Sequence, residues 1–368
     1  MVNKNTRRLG TALVAAVWLA LAVAAWCKPA GDISNTERRK LAQFPVFSIK
    51  NVLSGQFVSG FESYTLDQFP LRDSFRRVKA AFHCRALGQG DNNGIYVADG
   101  YAAALEYPLD ETSANNAAAH FQGLYDRYLK DSGGEIYFAI VPDKGYYLAE
   151  SNGYPAMDYD KMFSMVCEAL PWAQWVDITQ SLAAADYYRT DSHWRQEELL
   201  ETAAVLCASL GVTAPRAEDF TRTAAMAGFY GVYYGQGALS MPGETLYIME
   251  SPLLDGCAVY NHETGETTGV YDYEKLAGRD PYDVFLSGAA AVLTIENPNG
   301  QVGKELIVFR DSFGSSLVPL ILRDYAQVTV VDTRYVSPEA LGDYVDFHGQ
   351  DVLMVYSTTV LNNSAALK

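Results

Sequence analysis

The sequence predicts an α/β protein built on a doubly wound, mostly parallel sheet. Five short apolar segments between residues 135 and 356 alternate with helical patterns. The first of them, residues 135–141, is continuously apolar, which is typical of a strand buried on both faces. Because strands that alternate with helices pair in parallel and are covered on both sides, the pattern indicates one large central sheet.

The chain begins with a predicted membrane segment. Lys4, Arg7 and Arg8 precede an uncharged stretch over residues 9–27, which is just long enough to span a bilayer. Because basic residues lie before it and acidic ones dominate after it, the rest of the chain is expected outside the cytoplasm. Residues 1–27 are therefore predicted to be a signal anchor in the cell membrane. The alternative is a cleaved signal peptide, with the remainder secreted.

The remaining elements follow in chain order. Residues 28–60 have the charged and proline-containing composition of a stalk, and residues 61–368 are predicted to form the α/β domain. Helices are predicted over 58–87 (broken at Pro70), 110–131, 158–170, 195–210, 314–325 and 337–347, with a hairpin near 94–100. Strands are predicted over 135–141, 175–178, 305–310, 327–332 and 352–356.

Residues 211–303 interrupt this alternation. They are rich in glycine and tyrosine and contain several turn signals. The segment is therefore predicted to be a β-rich insertion, with strands near 229–235, 245–250, 258–260 and 290–296.

Charge and cysteine usage exclude several classes of partner. The formal charge is -16, and three basic residues are the only charges before Lys28, so the part after the first segment carries -19. Such a surface repels nucleic acid and offers anionic membranes nothing. The five cysteines are scattered without a CxxC pair, which argues against a zinc cluster or a dense disulfide scaffold. One disulfide remains open, and no metal or cofactor is predicted.

Five polar residues follow the ends of predicted strands. Ser312 follows strand 305–310, Lys144 follows 135–141 and Arg334 follows 327–332, while Asp191 and His193 lie in the loop after 175–178. Sheets of this kind place their sites at the carboxyl ends of the strands. The five residues are therefore expected on one edge of the sheet.

Ser312 lies where a strand gives way to a helix N-terminus. Free amides and the helix dipole favour negative charge there. A serine at this junction is therefore suited to be a nucleophile whose oxyanion those amides stabilise. The alternative is a plain helix cap.

His193 is the histidine best placed to act as a base for that serine. It alone of the five histidines has a carboxylate two residues away in a loop that leaves a strand. Positions i and i+2 of an extended segment point to the same side, so Asp191 can accept from one ring nitrogen and leave the other for Ser312. The alternative is that Asp191 caps the following helix.

Two motifs together resemble the DHHW family and the related alginate O-acetylation proteins. They are Tyr-Tyr-Arg-Thr-Asp191-Ser-His193-Trp194 and Val-Phe-Arg-Asp-Ser312-Phe-Gly. Those families carry a circularly permuted SGNH-hydrolase-like domain in which the Asp-x-His-Trp motif precedes the serine motif. The likeness extends to Pro142-Asp143-Lys144, to 331–335 and to 92–96, and covers roughly residues 35–360.

Two positions depart from the family pattern. Ser192 stands where the family motif has its first histidine, and Arg310 stands where SGNH enzymes usually have glycine before the Asp-Ser pair. The arginine at position 310 is expected to change how closely the backbone approaches the oxyanion.

The resemblance implies a serine acyl-enzyme mechanism on an acetyl ester. Ser312 would attack, His193 would remove its proton, and Asp191 would orient His193. The implied function is an outward-facing O-acetyltransferase or acetylesterase whose partner is a cell-wall or exopolysaccharide glycan, with a membrane acetyl-donor protein as a further candidate partner. The alternatives are a non-catalytic glycan-binding or scaffolding protein and a lipase-like or thioesterase hydrolase.

Three further residues are candidates for substrate binding. Arg334 and Lys144 are expected to bind a sugar hydroxyl or carboxylate, and Trp194 to stack on a sugar. The alternatives are ion pairs at the strand ends for the two cations and a core position for the tryptophan. Tyr230, Tyr233 and Tyr234 in the insertion are expected to line a glycan groove.

Overall fold

The computed structural model describes residues 4–368, so residues 1–3 of the predicted anchor lie outside the described residues. It contains two compact units. One comprises the chain up to residue 92 together with 234–240, and the other comprises 93–233 and 241–368. The division into anchor, stalk and α/β domain stays a prediction.

The first unit begins with helix α1, Lys4–Cys27. Residues Thr6–Cys27 have a mean hydropathy of 2.1 and are not buried by the rest of the chain. The helix is therefore long and apolar enough to cross a membrane, as the sequence predicts. A signal sequence has the same length and composition.

The rest of this unit consists of short elements. They are strands β1 (Ile33–Ser34) and β2 (Arg39–Lys40), helices α2 (Ile49–Leu53), α3 (Gln56–Asp67) and α4 (Arg72–Ala81), a π-helical turn (Phe82–Ala86) and strand β3 (Asp91–Asn92). The predicted helical region is thus confirmed as two helices that flank Pro70, whose ring cannot continue a helix. Asp67 at the end of α3 accepts a hydrogen bond from Arg39 (2.6 Å), which fastens β2 to α3.

Four helices of the second unit lie close to predicted positions. They are α5 (Glu111–Leu124, continued by a π-helical turn to Leu129), α7 (Tyr159–Ala169), α8 (Leu200–Ser209) and α10 (Phe313–Ile321). Three short helices were not predicted from the sequence: α6 (Lys144–Leu148), α11 (Thr358–Asn362) and α9 (Val232–Gln236), which runs across the division between the units. The helix predicted over 337–347 is a 3-10 helix, Pro338–Asp343.

The strands of the second unit form a hairpin, a ribbon and one large sheet. The predicted hairpin is confirmed as β4 (Ile95–Ala98) and β5 (Tyr101–Ala104), and β8 (Thr221–Phe229) and β9 (Glu244–Glu250) form the ribbon. The large sheet contains β6 (Ile136–Val141), β7 (Gln174–Trp175), β10 (Ala258–Asn261), β11 (Thr267–Thr268), β12 (Val292–Glu296), β13 (Gln301–Arg310), β14 (Tyr325–Val331) and β15 (Asp351–Ser357).

The large sheet has the strand order β11-β10-β12-β14-β13-β15-β6-β7. The five strands from β14 to β7 pair in parallel, so the predicted mostly parallel sheet is confirmed. Strands β10, β11 and β12 of the insertion extend it in antiparallel pairing. The later part of the insertion therefore extends the central sheet, while its earlier strands β8 and β9 form the separate ribbon.

One predicted strand of the insertion is wrong. Strand β8 ends at Phe229, and the chain enters helix α9 at Val232, so residues 229–235 do not form a strand. The intervening Gly231 packs its Cα against the backbone of Asp191. This close approach takes the chain out of the strand, and it also brings the insertion to the candidate site described below.

Helices cover both faces of the sheet. Side chains of α8 and α10 pack in the core cluster on one face, and side chains of α5 and α7 pack in the cluster on the other. Alternate residues of β6 enter the two clusters: Tyr137 and Ala139 one, Phe138 and Ile140 the other. Burial on both faces explains why this strand reads as a continuous apolar run.

Candidate active site

Ser312 lies directly after β13 and at the N-terminal end of α10. Its backbone is helical (φ -62°, ψ -21°), and its side chain makes no capping hydrogen bond. The adjacent Asp311 takes that role instead, because Oδ1 accepts the Phe313 amide (3.0 Å). Asp311 Oδ2 also accepts the amide of Ser357 at the end of β15 (2.7 Å). Both carboxylate oxygens of Asp311 therefore fix the turn that presents the serine.

The structure brings Ser312, His193 and Asp191 into one hydrogen-bonded chain, here called the triad. His193 Nε2 lies 2.8 Å from Ser312 Oγ, and His193 Nδ1 lies 2.6 Å from Asp191 Oδ1. With Asp191 ionised, Nδ1 carries the proton and Nε2 is free to accept from the serine hydroxyl. These are the contacts that a nucleophile, a base and an orienting carboxylate require.

The Asp191 carboxylate is fully buried and held from two directions. Its Oδ1 also accepts the His193 amide (3.1 Å), and its Oδ2 accepts the Val232 amide from the insertion (2.8 Å). The Gly231 amide donates to Thr190 Oγ1 (2.9 Å) beside it. A buried carboxylate needs such donors to remain ionised, so the insertion completes the site.

The imidazole of His193 stacks face to face on Tyr282. The ring centroids are 3.9 Å apart and the planes differ by 10°. Tyr282 is itself fixed, because its hydroxyl lies 2.8 Å from Ser316 Oγ in α10. An electron-rich ring against the imidazole face would stabilise a protonated His193.

Trp194 belongs to the core and not to a substrate surface. The indole has no exposed area, and its Nε1 donates to Ser316 Oγ (2.9 Å) and Phe313 O (3.1 Å). A ring without exposed surface has no face to offer a sugar, so the expected stacking role is corrected. Trp194 instead links the loop that carries His193 to the helix that follows Ser312.

Lys144 lies beside the triad loop but is also buried. Its Nζ donates to the carbonyl of Tyr188 (2.8 Å) and lies 5.1 Å from the centre of the Tyr233 ring. Burial lowers the pKa of Lys144 to about 7, although the nearby carboxylates of Asp191 and Glu244 oppose that shift. In this conformation Lys144 supports the loop that carries Asp191 and His193 and does not face solvent.

Arg334 and Arg310 share the carboxylate of Asp332 after β14. Arg334 forms a bidentate pair with it (Nε–Oδ1 2.9 Å, Nη2–Oδ2 2.7 Å), as the ion-pair alternative predicts. Burial lowers the pKa of Arg334, but the hydrogen bonds that Arg334 donates to Asp332 and the charge of that carboxylate outweigh burial, so the pKa is raised. The Arg334 side chain is 19% exposed, so it retains an open surface.

Arg310 is fully buried under the start of α10. Its Nη2 donates to the Gly288 carbonyl (3.1 Å), and Nη1 lies 3.3 Å from Asp332 Oδ2. Gly314 makes room for it, because a Cβ there would lie 2.6 Å from the Arg310 Cβ. Arg310 stands where SGNH enzymes usually have glycine, and Gly314, four positions later, leaves the space that its side chain occupies.

The tyrosines expected to line a groove are placed differently from one another. Tyr233 is buried against Lys144, whereas Tyr230 is 43% exposed. Tyr234 belongs to the first unit, where the Arg77 guanidinium lies over its ring. Of the two in the second unit, only Tyr230 therefore presents substantial surface.

The cysteines and the possible metal ligands complete the description of the site residues. All five cysteines are free thiols, so the disulfide that the sequence left open is not formed. Among residues 4–368, no group of three or more His, Cys, Asp or Glu side chains is arranged to hold a metal ion. That the site works without metal or cofactor stays a prediction.

Comparison with known proteins shows a family that the chain resembles. Residues 158–331 match the family model of the DHHW protein family, a span that contains Asp191, His193 and Ser312. Comparison with the sequences of curated proteins gives no match.

Solved structures show the same fold. A DHHW family protein from Eubacterium siraeum aligns with a TM-score of 0.62 at 22% identity, covering 75% of this chain and 94% of that one. Bacillus cereus PatB1, solved with a sulfonyl adduct, aligns with a TM-score of 0.60 at 20% identity, covering 73% and 95%. A more distant likeness, with a TM-score of 0.44 at 14% identity, is to the O-acetyltransferase domain of Pseudomonas putida AlgJ, covering 73% and 92%.

Tyr282, Gly231 and Val232 are site residues that the sequence did not single out. They lie in the insertion, tens of residues from the motifs they support. Of these three residues, only Gly231 could have been noticed in the sequence, because a glycine between larger residues often marks a close backbone approach. The likeness to the DHHW family is confirmed: the chain matches the family model over residues 158–331 and has the fold of a solved DHHW protein.

Proposed function

We propose that this protein is a membrane-anchored, outward-facing serine enzyme that transfers or hydrolyses acetyl groups on a cell-wall or exopolysaccharide glycan. The observation that carries the proposal is the hydrogen-bonded order Ser312–His193–Asp191, with contacts of 2.8 Å and 2.6 Å. The choice of acetyl group and glycan rests on the resemblance of the two motifs to the DHHW and alginate O-acetylation families.

In the first half-reaction Ser312 becomes acetylated. Its Oγ attacks the carbonyl carbon of an acetyl ester while His193 Nε2 takes the hydroxyl proton. The carbonyl oxygen becomes an oxyanion, and the tetrahedral intermediate collapses when His193 returns the proton to the leaving alkoxide. Asp191 and the Tyr282 ring both stabilise the imidazolium during these steps.

The oxyanion requires a hydrogen-bond donor next to Ser312. Asp311 already occupies the amides of Phe313 and Gly314 through its side chain and its carbonyl. We therefore assign the Ser312 amide as the donor at this helix end, where the dipole of α10 adds to the effect.

In the second half-reaction the acetyl group leaves Ser312. An acceptor hydroxyl gives its proton to His193 Nε2 and attacks the acetyl carbon, and Ser312 Oγ is then reprotonated. The acceptor is a sugar hydroxyl in transfer and water in hydrolysis. Arg334 is the cation best placed to bind a sugar hydroxyl or carboxylate, because one part of its side chain stays exposed while Asp332 fixes the rest.

The location follows from the first segment. Helix α1 is long and apolar enough to cross a membrane, and the basic residues before it favour a cytoplasmic N-terminus. The second unit, which holds the triad, would then face the cell wall, where glycans are available.

The experiment compares the wild type with Ser312→Ala in p-nitrophenyl acetate hydrolysis and in labelling by a sulfonyl fluoride. This reagent class suits the fold, since PatB1 has been solved with a sulfonyl adduct. We expect turnover and a single covalent label in the wild type and neither in the variant. Equal turnover and labelling in both proteins, or absence of both from the wild type, would instead favour the non-catalytic glycan-binding alternative.

Release of acetate must then be distinguished from transfer. Incubation of the acetylated enzyme with glycan oligosaccharides and with water alone measures the two routes separately. Faster loss of acetyl with the oligosaccharide, together with acetylated sugar, identifies a transferase. Equal loss in water identifies an esterase.

A further inference from the structure

The first unit exposes a run of large apolar side chains shortly after α1. Within residues 44–58, here called the apolar segment, six such side chains are more than half exposed. They are Phe44 (51%), Val46 (77%), Phe47 (71%), Ile49 (76%), Leu53 (83%) and Val58 (62%). Scattered apolar residues on a surface are ordinary, but a continuous group of this kind marks an interaction site.

The apolar segment is a built surface and not a loose tail. The Phe44 ring packs edge-on against Tyr64 in α3 (5.3 Å between centroids), and Phe47 packs against Phe57 (5.5 Å). Ser48 caps α2, since its Oγ accepts the Asn51 amide (3.1 Å). The exposed side chains are therefore held in place by contacts on their inner side.

The charge around this segment differs from that of the rest of the protein. Residues 28–92 contain ten basic and six acidic residues, a net charge of +4, whereas residues 93–368 contain fifteen basic and thirty-eight acidic residues, a net charge of -23. No acidic residue lies between Glu37 and Glu62, and Lys50 is exposed within the segment. The overall charge hides this asymmetry, so the expectation that the chain offers anionic membranes nothing does not hold for residues 28–92.

We propose that the apolar segment rests in the interfacial region of the lipid bilayer that α1 enters. It begins 17 residues after the end of α1 at Cys27, which keeps it close to that membrane. A run of this length is too short to span a bilayer. Exposed aromatic and aliphatic side chains in a segment that contains a lysine and no carboxylate are typical of segments that lie in the headgroup region. This inference rests on the membrane anchoring proposed above and not on the proposed acetyl chemistry.

The test uses the full chain in vesicles of phosphatidylcholine and phosphatidylglycerol. The photoreactive residue p-benzoylphenylalanine replaces Phe47 in one variant and Leu53 in a second, so that a folding defect at one position leaves the other informative. The matched control places it at Val302, a fully exposed apolar residue of the acidic unit. Irradiation is followed by mass spectrometry of the peptides.

We expect lipid adducts at positions 47 and 53 in several-fold higher yield than at 302. Adducts between two copies of the chain at 47 and 53, without lipid adducts, would overturn the proposal and identify the segment as a subunit interface. Lipid adducts at 47 and 53 no more abundant than at 302 would also overturn it.

Discussion

The amide of Val232 donates a hydrogen bond to Asp191 Oδ2 over 2.8 Å. This contact joins the insertion to the carboxylate that orients His193, and it leaves Asp191 Oδ1 directed at the imidazole. Gly231 makes the approach possible, because a side chain at that position would overlap the backbone and Cβ of Asp191. The insertion is therefore part of the proposed catalytic machinery.

Replacement of Gly231 by alanine is expected to disable the triad without unfolding the chain. The new methyl group would push Asp191 away from His193, and a displacement of about 1 Å in a catalytic group can cost roughly 10²-fold in rate. The measurement is kcat/KM for p-nitrophenyl acetate, with circular dichroism as the check on folding.

The control for this variant is Gly123→Ala in α5. A Cβ at Gly123 meets nothing within 4 Å, and alanine is a better helix former than glycine. We expect unchanged activity and equal or higher stability. Wild-type activity in Gly231→Ala would show that Asp191 does not depend on this contact.

Asp191→Asn is expected to keep the fold and lose activity. The asparagine amide would favour the tautomer of His193 that carries its proton on Nε2, which cannot accept from Ser312. In a serine-histidine-aspartate site such a change lowers kcat by roughly 10⁴-fold. The neighbouring Ser192→Ala should retain most activity, because Ser192 makes only a 3.4 Å contact with Asp191 Oδ1. Comparable losses in both variants would argue that the loop is merely structural.

The stacked ring of Tyr282 provides a graded test of how His193 is supported. Tyr282→Phe keeps the ring face and removes the hydroxyl that contacts Ser316, so most activity should remain. Tyr282→Leu removes the stabilisation of the imidazolium, which is worth about 0.5–1.5 kcal/mol, or roughly 2- to 10-fold in kcat. If leucine and phenylalanine variants have the same kcat, the stacking contributes nothing to the reaction.

A buried acid near the triad loop predicts a pH-dependent stability. The Glu197 side chain is 2% exposed, and its nearest cationic atom, Arg195 Nη1, is 3.6 Å away. Burial raises its pKa from 4.5 to about 7. Between these values the folded protein holds a proton that the unfolded chain releases, so the free energy of unfolding falls as the pH rises from 4.5 to 7 and levels off above 7.

Glu197→Gln removes that ionisation. We expect the variant to match the wild type near pH 4.5 and to exceed its free energy of unfolding by about 3 kcal/mol at pH 8. Denaturant unfolding of the detergent-solubilised chain at the two pH values measures the difference. A difference that does not change with pH would mean that Glu197 does not titrate in this range.

The sequence located the sheet and the edge that holds the site because both depend on local pattern. Continuous apolar runs follow from burial on two faces, and parallel strands place their carboxyl ends together. The order of Asp191, His193 and Ser312 along the chain could also be read from motifs. Their contact distances depend on tertiary packing and could only come from the structure.

The residues that support the triad could not be predicted from the sequence, because their contacts arise between distant parts of the chain. Tyr282 lies 89 positions after His193 in the chain, within the 3-10 helix Pro281–Val284, and only tertiary packing brings its ring onto the imidazole. The burial of Trp194 and Lys144 could not be predicted from the sequence either, because both residue types also occur at binding surfaces. Their neighbours in space, Ser316 and Tyr188, decide which role they take.

The most direct test of the account is to trap the acyl-enzyme. The full chain is mixed with p-nitrophenyl acetate, quenched in acid within the first turnover, and digested for peptide mass mapping. We predict one acetyl ester per chain on the peptide that contains Ser312, and its absence in Ser312→Ala. Turnover that persists without an acetyl group on Ser312, or with the acetyl group on another residue, would contradict the assignment of Ser312 as the nucleophile.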